Sequence, residues 1–199
     1  MESIETYKAI IRTHLGDYRY THSLCVAESA KTLAIQYGAD PKKAELAGIL
    51  HDILKDTPQD QQLKFMDRFA IMLTSVERAS PKLWHAMAGA EYLRQELQIA
   101  DPDIFLAVRY HTTGRAGMSL LERVVFTADF ISADRTYPGV DTMRQLAEKS
   151  LREAMLEGIA FTMQELAKKR QVIHPDTVDA FNSLLLEANG REANGPVGI

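Results

Sequence analysis

The sequence predicts an all-α fold, specifically a helical bundle. Along almost the whole chain, apolar residues recur at spacings of three and four positions, which is the period of a helix with one buried face. No stretch alternates apolar and polar residues between hairpin turns, so the pattern argues against a sheet. The chain has 199 residues, of which 46% are hydrophobic, and this is enough for one well-buried core.

Cap residues and prolines mark several helix boundaries. Asp40-Pro41, Ser80-Pro81 and Asp101-Pro102 each place a capping oxygen before a proline at the first helical position, where the missing N–H has no cost. Gly38 is a natural stop for the helix that precedes it. The predicted helices, with ends good to about 2–4 residues, span 3–14, 18–37, 41–54, 59–71, 81–98, 102–111, 119–134, 141–157 and 175–188.

The C-terminal end of the chain differs in composition from the rest. From Asn189 onward, the sequence lacks the apolar residues that would repay the entropy lost on ordering. We therefore predict a single domain over residues 1–188 and a flexible tail over 189–199. The sequence leaves the oligomeric state open, and a homodimer is compatible with it.

Charge and cysteine content exclude several classes of protein. A net charge of −4 and an isoelectric point near 5.9 give no global attraction to polyanions, so we expect neither a DNA nor an RNA partner. Because Cys25 is the single cysteine, no intrachain disulfide or thiolate metal cluster can form, as is usual in a reducing compartment. The N-terminus has no leader pattern and no apolar run reaches about 18 residues. We therefore expect no membrane partner and a cytoplasmic location.

The pair His51-Asp52 closes an apolar helical segment that runs from Ala44 to Leu50. An imidazole and a carboxylate are therefore delivered together from a segment that should face the core. A buried carboxylate requires a partner or a metal, because desolvating it alone costs several kcal/mol or forces it to protonate. For this dipeptide taken alone, a capping or hydrogen-bonded core pair is the alternative.

Four further polar residues lie on inward, apolar faces of separate predicted helices. They are His22, His85, His111 and Asp129. Asp129, for example, interrupts an apolar run from Val124 to Ile131. Any one of them alone is best interpreted as a hydrogen-bonded core residue. Their joint occurrence on separate helices, together with His51-Asp52, predicts a shared metal centre in the core of the bundle.

The donor types and their number indicate which metals the centre would hold. Imidazole nitrogen and carboxylate oxygen without sulfur suit Fe, Mn, Zn, Co or Ni. One ion needs only four of the six ligands, so we favour two transition-metal ions about 3.5–4 Å apart, which can activate water and neutralise phosphate oxygens. The first ion would take His22, His51, Asp52 and Asp129, and the second would take His85 and His111, with Asp52 as the bridge.

Four cations lie close in sequence to these candidate ligands. They are Arg19, Lys55, Arg115 and Arg135. Lys55 lies three residues after Asp52, so its ammonium group can reach a phosphate held at the metals. For each of the four, a solvated surface cation is the alternative. Four cations beside four candidate ligands nevertheless favour a binding site for polyphosphate. The remaining histidines, His14 and His174, are interpreted as capping or surface residues, with pocket lining as an alternative for His174.

Five stretches of the sequence carry the six candidate ligands together with their flanks. They are Arg19-Tyr20-Thr21-His22-Ser23, Ala47-Gly48-Ile49-Leu50-His51-Asp52-Ile53-Leu54-Lys55-Asp56, His85-Ala86-Met87-Ala88-Gly89-Ala90, Tyr110-His111-Thr112-Thr113-Gly114 and Ala128-Asp129-Phe130-Ile131. In this order they resemble the HD-domain superfamily of metal-dependent phosphohydrolases. More narrowly, they look like its YqeK-type branch of symmetrical diadenosine tetraphosphate hydrolases. The resemblance covers roughly residues 5–188.

The resemblance implies a helical HD fold, a di-iron-type centre and hydrolysis of diadenosine tetraphosphate into two ADP. It also implies the same division of the six ligands between two metals, with Mn, Co, Zn and Ni as alternatives to Fe. Asp52 and Lys55 are the residues that we expect to be catalytic. The residues expected to surround the phosphates or nucleosides are Arg19, Lys55, Thr112, Arg115, Asp134 and Arg135.

Two other functions remain open at the level of sequence. A nucleoside monophosphate phosphatase or a cyclic dinucleotide phosphodiesterase of the same superfamily would share the metals but not the pocket. The phosphodiesterase is disfavoured because no Gly-Tyr-Pro signature follows His111. A non-catalytic nucleotide sensor with a structural metal site is the alternative outside enzymes, and the complete set of six ligands argues against it.

Overall fold

The computed structural model describes residues 2–193, and the regular structure in this range is helical, without a strand. The all-α prediction is therefore confirmed. None of the described helices combines the length and the apolar character that a membrane span requires. The helices are α1 (Ile4–His14), α2 (Asp17–Tyr37), α3 (Pro41–Leu50), α4 (Gln59–Arg68), α5 (Ser75–Arg78), α6 (Trp84–Gln95), α7 (Pro102–Tyr110), α8 (Leu120–Ile131), α9 (Val140–Lys149), α10 (Leu151–Lys168) and α11 (Pro175–Ala193).

Three of the four cap residues identified in the sequence, Asp40, Asp101 and Gly38, begin or end helices as predicted, whereas the hydroxyl of Ser80 accepts no capping hydrogen bond. The carboxylate of Asp40 accepts hydrogen bonds from the backbone of Lys42 and Lys43 at the start of α3, and Asp101 caps α7 in the same way. Gly38 ends α2 with φ +81°, a conformation that glycine adopts without the steric cost of a Cβ. At Ser80, the proline after the cap begins a 3-10 turn, Pro81–Leu83, before α6 starts at Trp84.

Two helices end at least four residues earlier than the periodicity predicted, whereas α4, α6 and α8 end three residues earlier. Helix α3 stops at Leu50 instead of residue 54, and the chain continues in turns with hydrogen bonds between residues three apart, such as that from Ile53 N to Leu50 O (3.2 Å). The predicted helix over 141–157 is two helices, because Ser150 is extended (φ −160°, ψ 114°) and its hydroxyl accepts from the backbone of Glu153 to start α10. A serine that caps a new helix competes with continuation of the old one.

Two helical segments were not predicted. Helix α5 is a single turn held by a capping box between Thr74 and Glu77, and α10 continues to Lys168, eleven residues beyond the predicted end at 157. The last helix, α11, runs to Ala193 and so includes residues 189–193 of the expected tail. Extending a formed helix adds one hydrogen bond for each residue fixed. The rest of the expected tail, 194–199, lies outside the described residues.

The helices pack into one large hydrophobic cluster and one smaller one. In the large cluster, α2 packs against α3 and α8, while α7 packs against α3, α6 and α8. The smaller cluster joins α8 to α10 and α11 through residues such as Phe126, Ile159 and Leu184. Helix α8 contributes to both, with Val125 in the large cluster and Phe126 in the small one. It therefore fixes the C-terminal helices to the rest of the bundle.

The contact between α2 and α3 requires a glycine. A Cβ built at Gly48 would lie 2.6 Å from the Cα atom and 2.9 Å from the backbone nitrogen of Ala27. Both atoms belong to the backbone of α2, so neither can move aside as a flexible side chain would. The absence of a side chain at Gly48 therefore sets how closely the two helices approach.

We expect the substitution Gly48→Ala to destabilise the protein by about 1–3 kcal/mol, because the added methyl group forces α2 and α3 apart. Gly89→Ala is the matched control, since Gly89 is also buried in a helix but its Cβ would lie 3.7 Å from Ile53 and 3.8 Å from Val108. The control should raise stability by about 0.5–1 kcal/mol through helix propensity. Urea unfolding of the metal-free proteins measures both, and equal effects would contradict the close contact.

Candidate metal centre

Five helices bring the six candidate ligands together in the core. His22, His85 and Asp129 lie within α2, α6 and α8, whereas His51-Asp52 and His111 directly follow α3 and α7. The four histidines and Asp52 are each at most 3% exposed, and Asp129 is half-buried. The positions come from segments as far as 107 residues apart. The fold therefore assembles the ligand set that the sequence predicted.

His22 lies between two carboxylates. Its Nδ1 atom is 2.8 Å from Oδ2 of Asp134, and its Nε2 atom is 3.0 Å from Oδ1 of Asp129. Burial has the largest single effect and would lower the pKa of His22, but the hydrogen bond with Asp129 and the negative charges of Asp129 and Asp134 together outweigh it and raise the pKa. The two carboxylates therefore favour a positive charge on or next to the imidazole of His22.

Two other histidines are held in a single tautomer by their own helices. Nδ1 of His51 donates to the carbonyl oxygen of Gly48 and Nδ1 of His111 donates to that of Val108, both at 2.7 Å. Because a carbonyl oxygen only accepts, the Nε2 atoms must carry lone pairs when the rings are neutral. Nε2 of His51 is buried without a hydrogen-bond partner among the described residues. Burial lowers the pKa of His51 to about 4, so the ring is neutral near pH 7, which is the state that binds a metal.

Asp52 is the meeting point of the remaining ligands. Its Oδ1 atom lies 3.0 Å from Nε2 of His85 and 3.4 Å from Nε2 of His111, and those two nitrogen atoms are 3.2 Å apart. Burial alone would raise the pKa of Asp52, but His51, His111, His85 and Lys55 lower it well below its usual range. Burial lowers the pKa of His85 to about 4. An ionised carboxylate thus faces the neutral imidazole of His85.

These donors fit a metal centre. His22, His51 and Asp129 form one group, and His51, Asp52 and His111 form another, with the ligand atoms of each group within 4.8 Å of one another. His85 borders the second group through Asp52. Several lone pairs of these ligand atoms point towards one another with no proton between them, so they repel. A cation bound between them would replace this repulsion with attraction. Nitrogen and oxygen donors of this kind suit first-row divalent ions.

Two of the predicted substrate cations lie beside Asp52. Nζ of Lys55 is 3.6 Å from Oδ1 of Asp52 and 3.0 Å from Nε2 of His85, and a guanidinium nitrogen of Arg19 is 3.6 Å from Oδ2. The two side chains are 26% and 30% exposed. They therefore stand between the buried ligands and solvent, where a phosphate that reaches the centre would pass.

Three other predicted substrate contacts are engaged within the protein. Arg115 donates two hydrogen bonds, at 2.6 and 2.8 Å, to the buried carboxylate of Glu122. Arg135 donates to the carboxylate of Asp129 and, at 2.8 Å, to its backbone carbonyl oxygen. Asp134 accepts from Nδ1 of His22, so its contact is with a candidate ligand. A carboxylate in this position orients a metal-binding imidazole and raises its basicity.

Thr112 lies apart from the ligand cluster, in the wall of a cavity of about 440 Å³. The same wall includes His174, for which the sequence left pocket lining as an alternative, together with Lys82 and Arg170. Sequence analysis missed both cations because neither lies near a predicted ligand in the chain. It also missed the carbonyl groups that orient His51 and His111, although a histidine just after a helix can always reach the carbonyl three residues earlier.

Comparison with known proteins agrees with this geometry. A family model described as "HD domain" matches residues 19–134. A protein of Bacillus subtilis (strain 168), named "Bis(5'-nucleosyl)-tetraphosphatase, symmetrical", is 41% identical over 177 residues, which cover 89% of this chain and 95% of that protein. A protein of Halalkalibacterium halodurans with the same name is 41% identical over 178 residues, with the same coverage. A crystal structure from Clostridium acetobutylicum, described as a "predicted HD superfamily hydrolase involved in NAD metabolism", is 33% identical, covers 94% of this chain and 99% of that chain, and superposes with a TM-score of 0.91.

We expect Asp134→Asn to weaken metal affinity by about 10–100-fold, because the amide no longer fixes the orientation and basicity of His22. Asp103→Asn is the control, since Asp103 is half-exposed and pairs with Lys43 at the surface. Titration of the metal-free proteins with Mn²⁺ or Fe²⁺, followed by metal analysis after desalting, measures the effect. Metal content equal to that of the wild type in the Asp134 variant would mean that this carboxylate does not act through His22.

Proposed function

This chain belongs to the HD domain family, and we propose that it hydrolyses diadenosine tetraphosphate symmetrically to two molecules of ADP in a metal-dependent reaction. One observation supports diadenosine tetraphosphate as the substrate. The relatives that bear the name of this activity match about nine tenths of this chain, well beyond the HD domain match at residues 19–134. The similarity to these relatives therefore extends beyond the metal centre, and it is residues outside the metal centre that select a substrate.

The metal centre supplies the reactivity that the proposal requires. Divalent cations bound among the six ligands would contribute Lewis acidity, which acidifies a water molecule and neutralises phosphate oxygens. The protein's own part is to hold these donors rigidly. His51 and His111 are anchored to backbone carbonyls, and Asp52 is buried between them, so the donors need little reorganisation when a cation or a phosphate arrives.

Lys55 and Arg19 are placed to act on the polyphosphate chain itself. Both border Asp52 and both are partly exposed, so their charges can face phosphate oxygens without leaving the centre. In symmetrical cleavage the bond between the second and third phosphorus atoms breaks, and the leaving group is a nucleoside diphosphate. A hydrogen bond from the ammonium group of Lys55 would stabilise the charge that develops on the leaving oxygen.

Several finer features belong to the same proposal. We propose that iron is the working metal, that Mn, Co, Zn and Ni can replace it, and that residues 1–188 act as one catalytic domain. We also propose a cytoplasmic location and no DNA or RNA partner, since the chain carries a net charge of −4 and a single cysteine. A homodimer is compatible with these features.

The reaction is tested by chromatography of the products after protein loaded with iron or manganese is incubated with diadenosine tetraphosphate. We expect ADP as the sole product and loss of turnover on chelation, because the ligand set requires a cation. Nucleoside monophosphates serve as competing substrates. ATP plus AMP would overturn the position of cleavage, and release of phosphate from monophosphates alone would favour a nucleotide phosphatase instead.

We expect Lys55→Met to lower kcat by about 100–1,000-fold, the usual effect of removing one group that stabilises developing charge. Metal content should stay at the wild-type level, because the ammonium group is not a ligand. Lys64→Met is the matched control, since Lys64 is exposed and pairs with Asp60 one helical turn away. Loss of metal from the Lys55 variant would show that this residue maintains the centre instead of acting on substrate.

A further inference from the structure

Tyr18, in the first turn of α2, carries an aromatic ring that the fold leaves open to solvent. It is 61% exposed, more than any other aromatic side chain among the described residues. It belongs to neither hydrophobic cluster, whereas Tyr20, two residues later, packs against the large one. The ring of Tyr18 is therefore not part of the core, and a ligand can reach it.

The ring of Tyr18 lies beside the metal centre. Its centroid is 6.4 Å from that of the candidate ligand His22, one helical turn further along α2, and the two ring planes differ by 7°. Nε2 of His22 is in turn 3.0 Å from the carboxylate of Asp129. A flat molecule stacked on Tyr18 would therefore lie roughly parallel to the imidazole of His22 and next to the candidate ligands.

A cation connects this ring to the metal centre. The guanidinium carbon of Arg19 is 5.4 Å from the centroid of the Tyr18 ring, and a guanidinium nitrogen of the same side chain is 3.6 Å from Oδ2 of Asp52. An aromatic ring beside a positive charge is the usual arrangement for binding a base together with its phosphates. The order of ring, cation and metal ligands matches that of base, phosphate and reacting phosphorus atom in a nucleotide.

The first turn of α2 is fixed relative to the centre before a ligand binds. The backbone nitrogen of Gly16, the residue before α2, donates to Oδ2 of Asp56 at 3.0 Å. Asp56 belongs to the segment that also carries Asp52 and Lys55. The helix that presents Tyr18 and the segment that presents the central carboxylate are therefore tied together, which lowers the entropy cost of binding a ligand across both.

The substrate of the proposed reaction requires two base sites. Diadenosine tetraphosphate has an adenosine at each end, and symmetrical cleavage leaves one nucleoside diphosphate on each side of the broken bond. In an in-line displacement, the attacking and leaving oxygens lie on opposite sides of the phosphorus atom. The two halves of the substrate therefore leave the metal centre in different directions, and each base needs a surface of its own.

We propose that the base at one end of the substrate stacks on the ring of Tyr18, with Arg19 facing the phosphates between that base and the metal centre. The inference rests on the proposed function, because it assigns Tyr18 to the same substrate. Stacking tolerates every base, since each has a π-face. This end of the site therefore recognises that a base is present but not which base it is, so guanosine is accepted there as adenosine is.

Three variants separate stacking from other effects. Tyr18→Ala removes the ring, Tyr18→Phe keeps it, and both leave the core intact because Tyr18 belongs to neither hydrophobic cluster. Ile35→Ala is the matched control, since Ile35 is also on α2 and is 66% exposed. At a rise of about 1.5 Å per residue, Ile35 lies about 25 Å along the helix from Tyr18, so its replacement does not touch the metal centre.

Calorimetric titration of the manganese-loaded proteins tests the proposal. The first ligand is an analogue of diadenosine tetraphosphate with a methylene group in place of the oxygen between the second and third phosphorus atoms, and the second is inorganic tetraphosphate. We expect Tyr18→Ala to weaken binding of the analogue by about tenfold, and Tyr18→Phe and Ile35→Ala to stay within about twofold of the wild type. Inorganic tetraphosphate has no base, so all three variants should bind it within about twofold of the wild type.

Wild-type affinity for the analogue in Tyr18→Ala would overturn the proposal. A loss in Tyr18→Phe as large as that in Tyr18→Ala would do so as well, because phenylalanine keeps the aromatic face. An equal loss of analogue and inorganic tetraphosphate in Tyr18→Ala would also contradict stacking, because it would indicate damage to the metal centre.

Turnover of diadenosine tetraphosphate by the wild type is measured in parallel. If the wild type cleaves it and Tyr18→Ala binds the analogue normally, the assignment of Tyr18 fails while the proposed function stands. If binding of the analogue depends on the ring of Tyr18 but no cleavage occurs, the proposed reaction fails instead.

Discussion

Two short hydrogen bonds, from His51 to the carbonyl oxygen of Gly48 and from His111 to that of Val108, determine where the lone pairs of the centre point. Each bond ties an imidazole to the last turn of its own helix, so the direction of Nε2 follows the direction of that helix. The two helices must then be placed so that both lone pairs meet at Asp52. Gly48 serves this requirement twice, because its carbonyl orients His51 and its missing side chain lets α3 approach α2.

The charges around the centre are distributed in two layers. Inside, Asp52 and Asp129 are ionised because neighbouring imidazoles and cations lower their pKa values against the effect of burial. Outside, Arg115 donates to the buried carboxylate of Glu122, so its charge is neutralised within the fold. Lys82 and Arg170, both exposed at the edge of the cavity, form no ion pair with the residues that the structure describes. The division separates cations that maintain the protein from cations that remain free to meet a polyanion.

The fold class and the clustering of the six candidate ligands could be predicted from the sequence, whereas the contacts of the surrounding charges could not. A histidine or an aspartate within an apolar helical run stands out locally, so His22 and Asp129 were identifiable without knowing what they touch. The contact between Asp134 and His22 could not be predicted in this way, because it joins positions 112 residues apart. Helix ends, likewise, could be predicted only where the signal is local in the sequence. Asp40-Pro41 marks a boundary within two residues, but the break at Ser150 depends on which helix its hydroxyl caps.

Helices α3 and α7 both end at the metal centre, with His51 and His111 as the residues that follow them. The C-terminal end of a helix carries a partial negative charge of about half an elementary charge, and here two such ends meet the carboxylates of Asp52 and Asp129. The partial charges of the helix ends add to the charges of the carboxylates, and they act against the positive charges of Lys55, Arg19 and Arg135 beside them. Helix orientation thus strengthens the attraction of the six candidate ligands for a divalent cation.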